Sequence, residues 1–180
     1  MFQSLLDQAK DEHSYLKYVE KLKHVLSQEP LSLSILDAAS QGLLAGEWAK
    51  HLELNHLLKG VLQVQDLQML CRLTGQTLTQ LKQNALLSEA SLLKLLERAE
   101  KVFQADLTIV LLAHQGPFKK FIKNEKKGIF LAFKYKKAVD YKIKFVPVAI
   151  LAEEQVLLTF FMGFWEFIQK EKSLYQEREI

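Results

Sequence analysis

The residues best equipped for chemistry lie between positions 118 and 145, where ten lysines and seven aromatic residues share 28 positions. Ammonium groups attract polyanions through charge alone, and exposed rings between them can stack on nucleic-acid bases. Only Glu125 and Asp140 oppose the lysines in this stretch, although the net charge of the whole chain is just +3. This asymmetry predicts an anion-binding or partner-binding surface. Its residues are Lys119, Lys120, Lys123, Lys126, Lys127, Lys134, Lys136, Lys142 and Lys144.

Alternation along two predicted strands indicates which way the rings and the lysines point. Side chains of a strand point to alternate faces, and the segments 129–135 and 139–148 each have one apolar and one largely polar side. A three-residue loop between them places Phe133 opposite Tyr141, so the rings enter the core and the lysines coat the other side. That coat fits a solvated face that protects an edge strand, a contact with phosphates or anionic lipid, or an acidic protein partner.

The C-terminal segment is apolar on every side of its predicted helix. Such a helix is either buried centrally or covered by another chain, and aromatic anchors are typical of interfaces. The sequence leaves three environments open: the interior of this chain, an interface with a second copy or a partner protein, and the plane of a membrane surface. The predicted interface residues are Phe161, Phe164, Trp165 and Ile168.

Other candidate motifs in the sequence are incomplete. Residues 67–87 have the outline of a helix-turn-helix with Gly75 in the turn, but few basic residues lie nearby. His51 and His56 are five positions apart, whereas a zinc-binding pair on a helix needs four. His114 follows a predicted strand, and no catalytic partner for it is visible in the sequence.

No catalytic constellation stands out in the sequence. It has no glycine-rich phosphate loop, no nucleophile elbow and no set of metal ligands. We therefore predict no catalytic residues, no cofactor and no metal, and an enzyme is disfavoured. The expected function is that of a non-catalytic adaptor, accessory or assembly factor that acts through the aromatic helix, the lysine surface or both. The alternative is a nucleic-acid-binding protein without sequence specificity, which would use the lysines and the 67–87 unit.

The sequence pattern that predicts the helices and strands around these residues changes near residue 105. Residues 1–104 have apolar residues at three- and four-residue steps and predict about six helices joined by short turns. Residues 105–180 predict the order β-α-β-β-α, from a buried strand at 107–113 to a long helix that begins at Glu153. The predicted fold class is α+β, with the helical region packed on a small, mainly antiparallel sheet, as two units or as one continuous domain.

Cysteine content and hydropathy indicate the compartment. Cys71 is the single cysteine, so no intramolecular disulfide can form. The longest apolar-leaning run, residues 156–165, is about half of the ~20 residues that a membrane span needs. We expect a cytoplasmic protein without a transmembrane segment. Its expected partner is another protein or a second copy of the chain, and an acidic protein, nucleic acid or a membrane surface are further candidates.

Overall fold

The chain is described by a computed structural model at residues 14–28, 31–83, 89–113, 128–135, 142–147 and 152–176. Within these ranges it forms seven helices and five strands. The helices are α1 (Leu16–Gln28), α2 (Leu43–Ala49), α3 (Leu52–Asn55), α4 (Leu67–Thr74), α5 (Leu78–Gln83), α6 (Glu89–Phe103) and α7 (Glu153–Gln176). The strands are β1 (Leu33–Ala38), β2 (Leu58–Gln63), β3 (Leu107–Ala113), β4 (Gly128–Tyr135) and β5 (Lys142–Pro147).

All five strands belong to one mixed sheet, in the order β2-β1-β3-β4-β5. β1 is parallel to both of its neighbours, whereas β3, β4 and β5 are antiparallel to one another. Parallel strands need crossover connections. α2 and α3 form the connection from β1 to β2, and α4 to α6 form the connection from β2 to β3. The mixed α and β content was predicted, but half of the strand pairs are parallel, so a mainly antiparallel sheet was the wrong expectation.

Helices cover both faces of this sheet and make a three-layer α/β/α arrangement. Ile35, Ile109 and Leu131 face a layer formed by α1, α2, α3 and α7, and this layer holds the larger apolar core. Val110 and Ala132 face the opposite layer, which α4 and α6 form. The central strands are therefore buried on both sides, as parallel strands usually are.

The prediction of an all-helical region up to residue 104 is wrong, because β1 and β2 lie inside it. Ser34 was expected to cap a helix that ended at Gly42, yet this segment forms β1, in which all six residues are buried. The predicted helix from Glu47 to Leu58 is in fact the end of α2, the short α3 and the first residue of β2. A strand that is buried on both faces loses its alternation, so its apolar run resembles that of a helix.

Several local predictions of helix ends are confirmed. Asp66 caps α4 by accepting a hydrogen bond from the Met69 backbone nitrogen at 2.7 Å, and Gly75 ends that helix in the left-handed conformation. Thr77 and Gln80 form the predicted capping box, with reciprocal hydrogen bonds of 2.8 Å and 3.2 Å. The strand predicted at 107–113 and the helix that begins at Glu153 are also present.

The pairing of β4 with β5 differs by one residue from the predicted register. Phe133 is paired with Lys142 and Leu131 with Lys144, whereas we predicted that Phe133 faces Tyr141, which lies outside the described residues. A shift of one residue exchanges the two faces of a strand. Lys142 and Lys144 therefore share a face with the core residues Leu131 and Phe133, and the predicted separation of rings from lysines is wrong for β5.

The register gives a first testable prediction, at Gly128. A Cβ atom on Gly128 would lie 2.5 Å from the Val146 carbonyl oxygen and 2.4 Å from Cε2 of Phe145. Since a backbone oxygen cannot move without disturbing the strand pair, we expect Gly128→Ala to lower the free energy of unfolding by about 1–3 kcal/mol. Urea denaturation measures this change.

A matched control for that prediction is Gly46→Ala in α2. Apart from its chain neighbours and the backbone of its own helix, no atom lies within 4 Å of a Cβ placed on Gly46, and alanine favours the helix by up to about 1 kcal/mol over glycine. The control should therefore unfold at the same or a higher urea concentration. Equal midpoints for Gly128→Ala and the wild type would contradict the pairing of β4 with β5.

The described helices can be compared with the length and apolar character that a membrane-spanning helix requires. None of them combines the two.

Candidate functional site

Strand order reverses around β1, because the chain passes from β1 to β2 on one side and then returns to β3 on the other side. The connection that leaves β1 contributes Leu44, Trp48 and Leu54 to the larger core, on one face of the sheet. The connection that returns to β3 contributes Leu92 and Leu96 to the other core, on the opposite face. The connections that leave β1 and β2 thus lie on opposite faces of the sheet, and ligands of open α/β sheets bind outside the carboxyl ends of the strands where strand order reverses in this way.

The loop between β1 and α2 lies at the carboxyl end of β1 and is held by Asp37. The Asp37 side chain is fully buried and its Oδ1 accepts hydrogen bonds from the backbone nitrogens of Ala39, at 3.0 Å, and Ser40, at 2.8 Å. The Ser40 hydroxyl donates to Asp37 Oδ2 and accepts from the Leu44 nitrogen at 3.0 Å. These contacts fix the exit of β1 before α2 begins.

The next two residues of the same loop have left-handed backbones. Gln41 has a φ of 54° and Gly42 a φ of 94°. Left-handed residues other than glycine are uncommon and cluster at functional sites. A Cβ on Gly42 would also lie 3.2 Å from Nε2 of Gln63, so the carboxamide of Gln63 packs directly on this loop.

The end of β2 is hydrogen-bonded to the end of β1 beside this loop. Gln63 is paired with Asp37 across the strands, and the Val64 nitrogen donates to the Asp37 carbonyl oxygen at 2.8 Å. Gln65 and Asp66 follow on the exposed side of the edge. Among the described residues, the wall formed by the ends of β1 and β2 thus offers carboxamides, while the buried Asp37 carboxylate and the Ser40 hydroxyl already bond to each other and to backbone nitrogens. This wall can form directional hydrogen bonds to a polar molecule.

A second polar cluster surrounds Glu47 on α2. The Glu47 side chain is only 4% exposed, and it accepts hydrogen bonds from the Tyr15 hydroxyl at 2.9 Å and from Lys50 Nζ at 2.5 Å. Nε2 of His51 lies 3.4 Å from Glu47 Oε1 and makes no hydrogen bond. The cluster joins α1 to α2 beside the larger core.

The contacts of this cluster change the acidity of two groups. Burial alone would raise the pKa of Glu47, but the hydrogen bonds from Lys50 and Tyr15 outweigh it, so the pKa of this carboxyl lies below its ordinary value. Burial and the hydrogen bond to Glu47 raise the pKa of Tyr15 to about 12. Tyr15 is therefore a hydrogen-bond donor at neutral pH, and the cluster holds α1 in place.

The described lysines of the predicted anion-binding surface contact the chain's own helices. Lys134 pairs with Glu100 of α6 at 2.6 Å, and Lys144 pairs with Glu166 of α7. Nζ of Lys142 lies 5.5 Å from the centre of the Phe167 ring. The remaining six lysines lie outside the described residues. They are Lys119, Lys120, Lys123, Lys126, Lys127 and Lys136.

The predicted interface residues of α7 lie mostly inside the chain. Phe161 and Phe164 are fully buried, and Ile168 is 2% exposed. Trp165 is half-buried, with Nζ of Lys21 5.4 Å from the centre of its ring. Three of the four side chains therefore form the chain's own core and are not available to a partner in this fold.

The other candidates from the sequence form no site in the described residues. No group of three or more His, Cys, Asp or Glu side chains there is arranged to hold a metal. Cys71 is a free thiol of intermediate exposure. His114 lies outside the described residues, as does part of the 67–87 unit.

Comparison with known proteins shows the fold. No protein-family model matches the chain, and no curated protein sequence matches it. Solved structures do match. The competence/damage inducible protein CihA from Agrobacterium tumefaciens superposes with a TM-score of 0.68 at 12% identity, covering 87% of this chain and 94% of that one. The competence damage-inducible protein A (ComA) from Klebsiella pneumoniae does so with a TM-score of 0.68 at 11% identity, covering 89% and 98%.

A third match has the same fold. It is a competence-damaged protein (CinA) superfamily protein from Escherichia coli, with a TM-score of 0.65 at 16% identity, covering 82% of this chain and 84% of that one. At these identities the likeness concerns the fold. The chain is thus a three-layer α/β/α protein that is similar in architecture to CinA-superfamily proteins over nearly its whole length.

This likeness overturns the predicted function. We expected a non-catalytic adaptor or, as the alternative, a nucleic-acid-binding protein, and both are wrong for this fold. The chain has the architecture of the CinA-superfamily proteins, in which a covered sheet replaces the separate helical region of the prediction. The aromatic helix that was to bind a partner is an inner helix of that architecture.

The residues that sequence reasoning missed are those of the β1–α2 loop. Their signal is the run Asp37-Ala-Ala-Ser-Gln-Gly42, which begins with the last two residues of the buried strand and continues into a polar, glycine-containing turn. Such a turn marks the carboxyl end of a strand once the strand is recognised. Because β1 was predicted as a helix, Gly42 was interpreted as a helix end and the loop was not considered.

Proposed function

We propose that the chain binds a small polar molecule in the crevice outside the carboxyl ends of β1 and β3. The observation that supports this proposal is the reversal of strand order around β1, where the connections that leave β1 and β2 lie on opposite faces of the sheet, because open α/β sheets bind ligands beside such a reversal. The proposed position of the site follows from strand order, and it does not depend on the identity of any single side chain.

The β1–α2 loop supports the proposal with its own geometry. Asp37 and Ser40 hold the loop in a fixed conformation, and the left-handed Gln41 and Gly42 lie at its tip. Gln63 brings a carboxamide onto this tip from β2. A rigid loop with hydrogen-bonding groups lowers the entropy lost when a ligand binds. The wall is therefore suited to a ligand with hydroxyl, amide or carbonyl groups.

The anion-binding lysines that were predicted from the sequence bear on the charge of the ligand. β3 ends and β4 begins at this same edge of the sheet, and the sequence between them carries five of the nine lysines that were predicted to bind anions. These lysines lie outside the described residues. We keep anion binding as a proposal, and it favours a ligand that joins a polar body to an acidic group such as phosphate.

The test is a titration of the isotopically labelled chain with adenosine monophosphate, adenosine, ribose 5-phosphate and ribose, followed by amide chemical shifts. We expect shifts to concentrate at residues 39–42 and 63–66 around the crevice. If the lysines bind an anion, each phosphate compound should bind about tenfold or more tightly than its uncharged counterpart, which corresponds to 1.4 kcal/mol or more. Mass spectrometry of the same samples shows whether a probe is converted.

Contacts at the other edge of the sheet provide the internal control. Ser32 and Asp106 hydrogen-bond to each other at the amino ends of β1 and β3. Their amide signals should stay in place during the titration. Shifts that appear at this amino edge and not at residues 39–42 would contradict the proposed site.

Location and assembly follow as lesser proposals. The single cysteine supports a reducing compartment such as the cytoplasm. A protein partner or a second copy also remains proposed, but its contact surface has to exclude Phe161, Phe164 and Ile168, because these side chains are buried in the chain.

A further inference from the structure

Gly42 and Gln63 meet at the carboxyl ends of β1 and β2. A Cβ atom on Gly42 would lie 3.2 Å from Nε2 of Gln63 and 3.3 Å from its Oε1, but 3.5 Å from its Cδ. Both polar atoms of the carboxamide are therefore turned towards the place in which any other residue would carry its side chain. Glycine is common where another group approaches the backbone closely, and here it leaves the polar end of Gln63 uncovered.

Backbone contacts hold the two residues in this arrangement. Gln63 is paired with Asp37 across the strands, and the loop that leads to Gly42 is held by the hydrogen bond from the Ser40 nitrogen to Asp37 Oδ1. Gly42 itself has a φ of 94°, which other residues rarely adopt. The position of the carboxamide beside the loop is thus fixed by the fold, and little order has to be gained when a ligand binds.

The carboxamide of Gln63 is accessible and has unused hydrogen-bonding capacity. Gln63 is partly exposed, and the neighbouring Gln41 and Gln65 are exposed. Within the described ranges, no residue is hydrogen-bonded to this carboxamide, and no strand lies beyond β2 in the sheet. A dissolved molecule can therefore reach the donor and the acceptor of Gln63 from the open side of the sheet.

We infer that Gln63 is a specificity-determining residue of the proposed site and recognises an uncharged donor–acceptor pair of the ligand, such as the edge of a nucleobase. The inference rests on the proposed function. A carboxamide has a donor and an acceptor side by side, so an ion would satisfy only one of the two. A base edge satisfies both, as when glutamine contacts N6 and N7 of adenine.

The experiment isolates the contribution of the base. Adenosine monophosphate and ribose 5-phosphate differ by the base alone, as do adenosine and ribose, and all four are titrated into the wild type, Gln63→Met and Gln65→Met. Methionine keeps the length of the side chain and removes the amide. We expect the base to strengthen binding to the wild type and to Gln65→Met about tenfold or more. Gln63→Met should lose this gain and bind ribose 5-phosphate as the wild type does.

The side-chain amide of Gln63 gives a second readout. Its N–H signals, assigned by their absence from the spectrum of Gln63→Met, should shift with adenosine monophosphate and stay in place with ribose 5-phosphate. An equal response to both compounds, or no response to either, would overturn the inference. An equal loss of affinity for both compounds in Gln63→Met would do the same.

Failure of the proposed function gives a different result. In that case none of the four compounds shifts the backbone amides of residues 39–42 in the wild type, and the inference about Gln63 falls with it. If these amides do shift while Gln63→Met keeps the full gain from the base, the proposed site stands and the inference alone is wrong.

Discussion

Phe164→Ala is expected to lower the free energy of unfolding by about 3–5 kcal/mol. Phe164 is fully buried, and its ring lies 6.4 Å from the rings of both Trp48 and Phe133 and 6.1 Å from that of Phe160. Truncation would leave a cavity between α2, α7 and the sheet that these large rings cannot fill. Chemical denaturation followed by circular dichroism measures the loss.

Trp165→Ala is the matched control, because the next residue of α7 is half-buried and faces Lys21. A partly exposed ring contributes less burial, so we expect a loss of about 1 kcal/mol. The two variants separate a core helix from an interface helix. If α7 were an interface, Phe164→Ala would retain the stability of the wild type and change its sedimentation coefficient instead.

The environment of α7 was left open by the sequence for a physical reason. A helix that is apolar all round needs cover on all sides, and composition does not identify what covers it. In the fold, the sheet covers one side through Phe133 and Leu131, and α2 covers another through Trp48. Both covering elements are distant in sequence from α7, so only their arrangement in space decides between core and interface.

β1 and β3 show which strands a sequence can and cannot reveal. β3 was predicted with its observed bounds, because the run from Leu107 to Ala113 is rich in β-branched and apolar residues. β1 was missed, since the serines and leucines of its segment fit a helix as well. Its serine at position 34 is paired with the Thr108 hydroxyl at 3.0 Å inside the sheet, a contact that requires strand order to predict.

The predicted register of β4 with β5 was wrong for a related reason. We aligned apolar faces within the pair β4–β5 and thereby kept the lysines away from the core. The fold instead gives Lys144 a carboxylate partner, Glu166, and gives Lys142 the Phe167 ring, both on α7. Long lysine side chains can lie along apolar surface while their ends stay polar, so a pattern of faces in one hairpin does not fix the pairing.

The candidate site was hidden from the sequence because it is a property of topology. Asp37, Gln63 and the end of β3 come together only when β1 lies between β2 and β3. Each segment by itself is an ordinary strand end with a polar turn. Local signals did identify the caps at Asp66 and Thr77, where the interacting residues are three positions apart.

Glu47→Ala is expected to lower the free energy of unfolding at neutral pH by about 3 kcal/mol. This value is at the lower end of the range for removing one partner of a buried ion pair. The reason is that the Lys50 side chain is largely exposed, so its ammonium group can be solvated after the substitution. The Tyr15 hydroxyl loses its acceptor, and α1 loses its polar contact with α2. Urea denaturation at pH 7 measures the change, and Glu97→Ala, at an exposed position of α6, should unfold like the wild type.

The pH dependence of the same contact has a definite sign. The pKa of Glu47 is lower in the folded chain than its ordinary value of 4.5, so its contribution to stability is present above that value and is lost as the pH falls through the folded pKa. As the pH is lowered from 5, Glu47→Gln should therefore lose less stability than the wild type. At alkaline pH, where the pKa of Tyr15 is raised from 10.0 to about 12, stability from this hydroxyl is present below pH 10 and is lost as the pH rises towards 12. Parallel acid profiles for Glu47→Gln and the wild type would show that the carboxylate does not hold α1 on the fold.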